Sequence, residues 1–166
     1  AGPVDIRVSI TPTYHGQNIV MRILADKAEE YSLEMLGFSK GDKDKLLKAI
    51  KKPFGMILST GPTGSGKTTT LYTLIKMLNN PDVSIITIED PIEYAVNDIE
   101  QIQVNTRTNL TFSNGLRSVL RQDPDIIMVG EIRDPETAGL AVNTALTGHL
   151  LFSTLHTTDS ATSLPR

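Results

Sequence analysis

The stretch Gly61–Thr68, which reads GPTGSGKT, decides the fold class of this chain of 166 residues. It fits the pattern G-x-x-x-x-G-K-[ST], in which glycines let successive backbone N–H groups turn towards a phosphate in conformations that a β-carbon would forbid. A helix beginning at Lys67 would add its positive N-terminal end to this cradle. The Lys67 side chain would reach the β- and γ-phosphates, and the Thr68 hydroxyl would bind magnesium. The stretch therefore predicts a site for a nucleoside triphosphate and Mg²⁺.

A chance match in a glycine-rich turn is the alternative interpretation of this stretch. At ordinary residue frequencies, such a match is expected in fewer than ~1% of chains of this length. The apolar segment Gly55–Thr60 precedes the loop, and leucine and isoleucine residues recur at helical spacing after it. This is the context that a phosphate-binding loop requires, and it favours function over chance. The residues predicted to bind the nucleotide through the loop are Gly61, Pro62, Thr63, Gly64, Ser65, Gly66, Lys67, Thr68 and Thr69.

Strand and helix patterns alternate along the chain on both sides of the loop. Apolar and β-branched runs predict strands at Gly55–Thr60, Val83–Ile88, Ile99–Val104, Asp125–Val129 and Leu150–Leu155. Helical spacing and capping residues predict helices at Lys67–Leu78, Phe112–Arg121 and Pro135–Thr147. Such alternation gives a parallel sheet that is covered on both faces. We therefore predict an α/β fold built on a mostly parallel sheet.

The first 52 residues have a different pattern. Val4–Leu24 alternates between apolar and polar residues around a break at His15–Asn18, which predicts two strands and a turn. Asp26–Asp42 is polar with two breaking glycines, and Asp44–Lys51 is typical of a short helix. We expect three segments: the end of a small β-containing domain at 1–25, a linker with a short helix at 26–52, and a nucleotide-binding core at 53–166.

The composition argues against several kinds of function. The net charge of −3, the aromatic content of 5% and the lack of a Lys/Arg run argue against a nucleic-acid surface. The chain has no cysteine, so neither a disulfide framework nor a cysteine zinc site can form. No apolar run approaches the roughly 20 residues that span a bilayer. The chain starts without methionine, and we expect it to be a piece of a longer protein.

Two acidic residues stand at the ends of predicted strands, where sheets of this class place their ligand chemistry. Glu131 follows an apolar run and Gly130, and it would polarise the attacking water either directly or through magnesium. Glu89 ends the strand that follows the loop helix. The alternatives are an ordinary acidic turn residue for Glu131 and Asp-Pro turn chemistry around Glu89. Position favours function for both, whereas for Glu93, which lies further out, the two interpretations are equal.

Histidines flank the last predicted strand. His156 stands at its carboxyl end, where an imidazole can donate a hydrogen bond to a γ-phosphate. For His149, at the other end, the residues alone favour a structural histidine. Arg117 and Arg121 are spaced i, i+4 on a predicted helix and share a face, which suits either a phosphate or solvated surface charge. Among these two histidines and two arginines, the residues alone therefore favour a functional role only for His156.

Four segments of the chain occur in the order Gly61–Thr68, Thr87–Glu93, Leu120–Asp134 and Leu146–Thr157. Together they resemble the secretion ATPase family, the hexameric motors of type II secretion and type IV pilus assembly. The resemblance covers nearly the whole chain, and it implies a RecA-like sheet core that hydrolyses ATP with Mg²⁺ between hexamer subunits. It also implies inner-membrane platform proteins as partners, with the chain in the cytoplasm at the inner face of the membrane.

The resemblance assigns three kinds of role to single residues. Catalytic roles are implied for Glu131, Glu89, His156, Arg117 and Arg121, the two arginines near a subunit interface. Further nucleotide contacts are implied for Arg7 and Arg22 on the N-terminal strands and allowed for His149. Metal contacts are implied for Thr68 directly and for Glu131 directly or through water.

Other functions remain open at this point. A DNA-translocating or recombination ATPase can share such a core, and stimulation of hydrolysis by DNA would indicate it. A nucleotide-gated scaffold would bind ATP and assemble a secretion platform without turnover. A Glu131→Gln variant separates the scaffold from the motor, because only a motor loses its function. Within the family, secretion and pilus extension are favoured over pilus retraction.

Overall fold

The computed structural model describes residues 6–23, 31–93 and 95–157. The chain divides into two compact units, the first formed by Ala1–Glu29 with Glu93–Asn97 and the second by Glu30–Ile92 with Asp98–Arg166. The first unit contains a β-hairpin, and the second contains the large sheet and its helices. The expected division at residues 25 and 52 stays a prediction.

The hairpin of the first unit is antiparallel. β1 spans Ile6–Thr13 and β2 spans Gly16–Ile23. The turn between them is shorter than the predicted break at His15–Asn18, because Gly16 already pairs with the last residue of β1. Gly16 has a φ of +126°, in the region that favours glycine, and so it lets the chain reverse within a tight turn.

The second unit is built on a sheet of five strands. These are β3 (Gly55–Thr60), β4 (Ile85–Glu89), β5 (Glu100–Gln103), β6 (Ile126–Val129) and β7 (Leu150–Leu155). Their order in the sheet is β3-β7-β6-β4-β5, and every neighbouring pair is parallel. The predicted α/β class with a mostly parallel sheet is confirmed. Because all five strands run the same way, their carboxyl ends meet at one edge, which we call the carboxyl edge.

Four α-helices lie in the described part of the second unit. They are α1 (Lys40–Ala49), α2 (Lys67–Leu78), α3 (Phe112–Val119) and α4 (Pro135–Leu146), and a 3₁₀ helix spans Thr106–Thr108. α1 begins before the predicted start at Asp44, because Ser39 caps it by accepting a hydrogen bond from the Asp42 N–H at 3.2 Å. Within the described ranges, none of these helices has the length and apolarity needed to cross a membrane.

Helices cover both faces of the sheet. On one face, Ile88 of β4 belongs to an apolar core with Leu116 of α3 and Ala141 of α4. The next residue of β4, Glu89, turns to the other face, because side chains alternate along a strand. There it contacts Tyr72 of α2. α2 therefore packs on the face of the sheet opposite α3 and α4. The phosphate loop joins the C-terminal end of β3 to the start of α2.

Candidate nucleotide-binding site

The phosphate loop leaves the C-terminal end of β3 and enters α2. Gly61, Gly64 and Gly66 have φ angles of +143°, +80° and +85°, all in the region that favours glycine. A β-carbon on Gly61 would also lie 2.8 Å from the Ser65 hydroxyl oxygen, so a larger residue would force a shift. That hydroxyl donates to the carbonyl oxygen of Pro62 at 2.8 Å. The tight form of the loop therefore depends on its glycines.

The N-terminal end of α2 is not capped by a side chain. Gly66 is the N-cap residue, and no side-chain hydrogen bond is made there. The first turn of α2 contains no acidic residue either. The first N–H groups of a helix have no partner within the helix, and the positive end of its dipole lies among them. This helix end therefore favours an anion in the loop.

Lys67 begins α2 and turns its side chain back over the loop. Its Nζ donates hydrogen bonds to the carbonyl oxygens of Gly61 and Pro62, each at 2.8 Å. Only 9% of Lys67 is exposed, so the loop encloses its positive charge. An ammonium group has three donors, and these two bonds leave one N–H for an anion.

The Thr68 hydroxyl differs from the hydroxyls of Thr70 and Thr73 in the first turns of α2. Thr70 Oγ1 donates to the Gly66 carbonyl oxygen at 3.0 Å, and Thr73 Oγ1 donates to the Thr69 carbonyl oxygen at 2.9 Å. Within the described parts of the chain, Thr68 Oγ1 makes no such bond. Its oxygen is therefore available as a ligand beside the loop. Thr69 is placed by the same turn, and its carbonyl oxygen is used by the helix.

Glu89 ends β4 as a buried carboxylate, with 2% of the residue exposed. Its Oε2 accepts a hydrogen bond from the Tyr72 hydroxyl of α2. Its Oε1 accepts from the Thr87 hydroxyl at 2.6 Å and from Gln101 Nε2 at 3.2 Å. Gln101 Nε2 also lies 3.1 Å from the Tyr72 hydroxyl oxygen. A buried carboxylate needs such donors, and these bonds tie the end of β4 to α2 and β5.

Glu131 follows β6 after one intervening glycine, and 12% of its side chain is exposed. Its Oε1 accepts a hydrogen bond from Arg133 Nη2 at 2.6 Å. Its Oε2 lies 3.0 Å from Nε2 of His156, which follows β7. The structure therefore brings Glu131 and His156, two of the predicted site residues, into direct contact at the carboxyl edge.

Arg133 joins the ends of two strands at this edge. While its Nη2 bonds to Glu131, its Nη1 lies 3.7 Å from Oδ2 of Asp90, the residue that follows β4. The hydrogen bond to Glu131 is the main reason why the pKa of Arg133 is raised above its ordinary value. The guanidinium charge is thus held between carboxylates from β4 and from β6.

The backbone around Gly130 anchors Glu131 on both neighbouring strands. The Gly130 N–H donates to the carbonyl oxygen of Ile88 at 2.8 Å, and the Thr154 hydroxyl donates to the Gly130 carbonyl oxygen at 2.7 Å. On the far side of Glu131, the Ile132 N–H donates to the Thr154 carbonyl oxygen at 3.1 Å. A β-carbon on Gly130 would lie 3.2 Å from the Ile88 carbonyl oxygen, so only glycine fits here without displacing β4.

His149 lies at the opposite edge of the sheet from the phosphate loop. It precedes β7, and its carbonyl oxygen accepts a hydrogen bond from Gly55, the first residue of β3. The loop follows the last residue of β3, and a strand of this length spans roughly 20 Å. The structure thus separates His149 from the loop of its own chain, because the two residues occupy opposite ends of neighbouring parallel strands.

The two predicted interface arginines also lie apart from the loop. Arg117 Nη1 pairs with Glu136 Oε1 of α4 at 2.8 Å. Arg121 Nη2 donates to Ser118 Oγ at 3.2 Å. The expectation that both stand on one helix is wrong, because α3 ends at Val119 and Arg121 falls in the turn beyond it. Both arginines belong to the α3 side of the sheet, opposite α2.

Arg7 and Arg22 are register partners in the hairpin of the first unit. Their expected contacts with nucleotide stay predictions. For Glu93, which also belongs to the first unit, both interpretations stay open.

The sequence patterns do not single out four residues that contact the predicted acids: Tyr72, Thr87, Gln101 and Arg133. One signal was available for Thr87, because it stands two residues before Glu89 on a strand and therefore shares its face. No comparable local signal exists for Tyr72 or Gln101, since they lie on α2 and β5 and contact Glu89 only through the tertiary fold. Arg133 lies close to Glu131 in the chain, but spacing alone does not show that the side chain folds back.

A phosphate loop on a parallel sheet, with acidic residues at the carboxyl edge, defines a P-loop nucleotide-binding protein. The whole chain, residues 1–166, matches the model of the family described as type II/IV secretion system protein, and the chain belongs to this family. The resemblance seen in the sequence is thereby confirmed.

Curated relatives come from both secretion and pilus systems. The chain is 53% identical to the type II secretion system protein HxcR of Pseudomonas aeruginosa, covering 99% of this chain and 35% of the relative. It is 52% identical to the type II secretion system ATPase E of Vibrio cholerae, over 98% of this chain and 32% of the relative. It is 51% identical to the type IV pilus assembly ATPase PilB of P. aeruginosa, over 98% and 29%. The chain thus spans about a third of these relatives.

Solved structures share the fold. The ATPase DotB of Legionella pneumophila superposes with a TM-score of 0.83 at 29% identity, over 98% of this chain and 46% of that chain. The pilus retraction motor PilT, solved with bound ADP, superposes with a TM-score of 0.79 at 36% identity, over 97% and 50%. Both structural relatives are named for the activity or motor function that the sequence resemblance implies.

Proposed function

We propose that this chain is the ATP-hydrolysing core of a hexameric motor that drives type II secretion or type IV pilus assembly, with Mg²⁺ as cofactor. The observation that carries the proposal is the contact of Glu131 with both Arg133 and His156 at the edge where the phosphate loop also lies. Family membership supports it, as do relatives named as ATPases of secretion and of pilus assembly.

The phosphate loop fits the triphosphate of ATP. The uncapped end of α2 and the enclosed Lys67 ammonium both favour negative charge in the loop. ATP is favoured over GTP, because the chain lacks the Asn-Lys-x-Asp motif that would read guanine. In this proposal Gly61–Gly66 cradle the phosphates through backbone N–H groups, and Lys67 contacts the β- and γ-phosphates.

Mg²⁺ fits this site as a companion of the nucleotide. Among the residues that the structure describes, no group of three or more His, Cys, Asp or Glu could hold a metal ion alone. Mg²⁺ commonly binds through one or two protein oxygens together with nucleotide phosphates and waters, and the available Thr68 hydroxyl suits that arrangement. Thr68 would hold the ion directly and Glu131 through water. The bound ion neutralises charge on the phosphates.

Glu131 is the better placed of the two acids to act as the general base. A carboxylate has about four lone-pair sites, and Arg133 and His156 use one on each oxygen, so each oxygen can still accept a proton from water. The side chain is partly exposed, which admits that water. His156, which contacts Glu131, would then make the action of this base depend on whether the γ-phosphate is present.

Glu89 has a different part in the proposal. Its carboxylate is buried, and both oxygens already accept bonds from fixed neutral donors. A carboxylate held in this way keeps its orientation. We assign it a supporting role, that of setting the position of the β4 end beside Glu131, rather than the role of base.

The hexamer would supply the remaining charges. Arg117 and Arg121 lie on the side of the sheet away from α2, where they cannot serve the loop of their own chain but can face a neighbouring subunit. Arg7 and Arg22 would contact the nucleotide phosphates from the hairpin. The partners of such a motor are the inner-membrane platform proteins of a secretion or pilus machine, and its place is the inner face of the cytoplasmic membrane.

The proposal is tested by measuring Mg-ATP hydrolysis per mole of this chain over a series of protein concentrations. Specific activity should rise with concentration, because the site is completed between subunits. Glu131→Gln should bind nucleotide as before and keep only residual hydrolysis at every concentration. Asp44→Asn serves as a matched control, since this acid is exposed on α1 and contacts none of the proposed site residues.

Other outcomes would redirect the assignment. Nucleotide binding without hydrolysis in the unmodified chain would favour a nucleotide-gated scaffold. Stimulation of hydrolysis by DNA would favour a translocase. Activity independent of concentration would contradict a site shared between subunits.

A further inference from the structure

Three strand ends converge on the carboxylate of Glu131. His156, after β7, is 3.0 Å from Oε2, and Arg133, in the loop after β6, is 2.6 Å from Oε1. Arg133 in turn lies beside Asp90, after β4. The backbone on both sides of Glu131 is fixed by bonds to neighbouring strands, so the side-chain torsions are its remaining freedom.

We infer that Arg133 is a positioning residue for Glu131: its guanidinium, anchored by Asp90, fixes the plane of the carboxylate so that the free lone pairs face the attacking water. The inference rests on the proposed function, because it concerns the proposed general base. It adds a residue that need not touch nucleotide, metal or water.

The geometry favours this role over that of an ordinary surface ion pair. Exposed pairs contribute little, commonly ~0–1 kcal/mol, because water competes and two long side chains lose freedom. Here one partner is nearly enclosed: 12% of the Glu131 side chain is exposed, against 58% of the Arg133 side chain. The Glu131 end of this pair is therefore shielded from most of the competing water. Arg133 and His156 also bond to different oxygens of Glu131, and two such bonds fix the plane of the carboxylate. A single bond would leave the carboxylate free to rotate.

Hydrolysis by Arg133→Met and Arg133→Lys tests the role. For Arg133→Met, kcat should fall on the order of 10- to 100-fold, the range typical of supporting residues, with little change in KM. Arg133→Lys keeps the charge and one donor, and it should recover part of the loss. Arg107→Met is the matched control, because Arg107 is exposed on the 3₁₀ helix and should behave as the unmodified chain does.

The decisive measurement is the double variant. If Arg133 acts through Glu131, then adding Arg133→Met to Glu131→Gln should cause no further loss of residual activity, since the group being positioned is already gone. A further loss equal to that of the single variant would overturn the inference, as would an Arg133→Met enzyme with unchanged kcat.

A second readout does not need turnover. In a chain labelled with ¹³C at glutamate carboxyl carbons, the Glu131 signal is identified by its loss in Glu131→Gln. Arg133→Met should shift or broaden that signal, whereas Arg107→Met should leave it in place. An unmoved signal in Arg133→Met would refute the inference even if the chain hydrolyses ATP. A shifted signal in a chain without hydrolysis would support the positioning contact while the proposed function fails.

Discussion

Glu131 Oε2 and His156 Nε2 lie 3.0 Å apart although 25 residues separate them in the chain. The contact exists because β6 and β7 are parallel neighbours, so residues that follow them come out at the same edge. In the proposed function, Glu131 and His156 would respond together to the group that the phosphate loop binds.

Replacing His156 with alanine should lower hydrolysis and leave nucleotide binding intact. One donor to Glu131 is lost, and we expect kcat to fall on the order of 10- to 100-fold, as for other supporting residues. His156→Gln retains a side-chain donor and should lose less. Steady-state kinetics, with binding of a fluorescent ATP analogue measured alongside, distinguishes the two effects. Loss of binding in His156→Ala would show that the residue serves the loop rather than Glu131.

Replacing Lys67 with alanine should weaken nucleotide binding and not catalysis alone. The enclosed ammonium is the charged side chain that closes over the loop, and hydrogen bonds to charged groups contribute about 1.5–3 kcal/mol each. The one N–H that the loop carbonyls leave for a phosphate oxygen therefore corresponds to a loss of affinity of roughly 10- to 100-fold. Isothermal titration with Mg-ATP measures this loss. Lys48→Ala, on the exposed part of α1, is the control and should bind normally.

Removing the Tyr72 hydroxyl should destabilise the fold. Tyr72→Phe leaves the buried Glu89 carboxylate without one of its donors, at an expected cost of about 1.5–3 kcal/mol in the free energy of unfolding. Urea unfolding at neutral pH measures the difference. The hydroxyl of Tyr14, a residue that is 97% exposed, provides the comparison, and Tyr14→Phe should change stability little. Equal stability of the two variants would argue that water replaces Tyr72 at Glu89.

Two helical glycines should respond in opposite ways to alanine. Gly139 in α4 has nothing within 4 Å of an added β-carbon, so Gly139→Ala should stabilise the chain by about 0.5–1 kcal/mol. Gly115 in α3 would place its β-carbon 3.2 Å from Ile88 Cγ2, and Gly115→Ala should forfeit that gain or destabilise. Thermal unfolding of both variants decides the matter. A stabilising Gly115→Ala would show that Ile88 and α3 can move apart easily.

Asp134 should make the stability of α4 depend on pH. It caps the helix by accepting from Thr137 N–H and Oγ1, both at 2.8 Å, and these bonds lower the pKa of its carboxyl group. A lowered folded-state pKa means that the stabilisation is present above the ordinary value near 4 and is lost as the pH falls through the folded value. Asp134→Ala should therefore cost about 1 kcal/mol at pH 7 and less in acid. Asp134→Asn keeps a capping oxygen and should lose the pH dependence with a smaller cost.

The sequence predicts the secondary-structure elements of this molecule better than the contacts between its side chains. The strands at Gly55–Thr60 and Leu150–Leu155 and the helix at Lys67–Leu78 have the predicted bounds, because period, length and breakers all agree there. The bounds of α1 and α3 differ from prediction, since capping by Ser39 and the turn after Val119 depend on local bonds that periodicity does not record.

At the site, a parallel sheet explains why residues after separate strands could be expected at one edge. It does not predict which donors reach them. Tyr72 meets Glu89 because α2 packs on the face of the sheet to which Glu89 turns, and Arg133 turns back to Glu131. Such choices depend on packing between distant segments. For His149, by contrast, the order of the residues already shows which end of the strand it occupies, and its carbonyl oxygen accepts from Gly55 at that end.

The position of β3 at the edge of the sheet has a consequence for amide exchange. Gly55 N–H points to β7, and by the alternation of a parallel ladder so do the amides of Ile57 and Ser59. The amides of Met56, Leu58 and Thr60 face the other way, where no described strand lies. Deuterium uptake along this one strand should therefore alternate residue by residue in the isolated chain. A strand that paired with this free side of β3 would slow exchange only at the amides of Met56, Leu58 and Thr60. Exchange at these three amides would therefore report whether such a strand has docked.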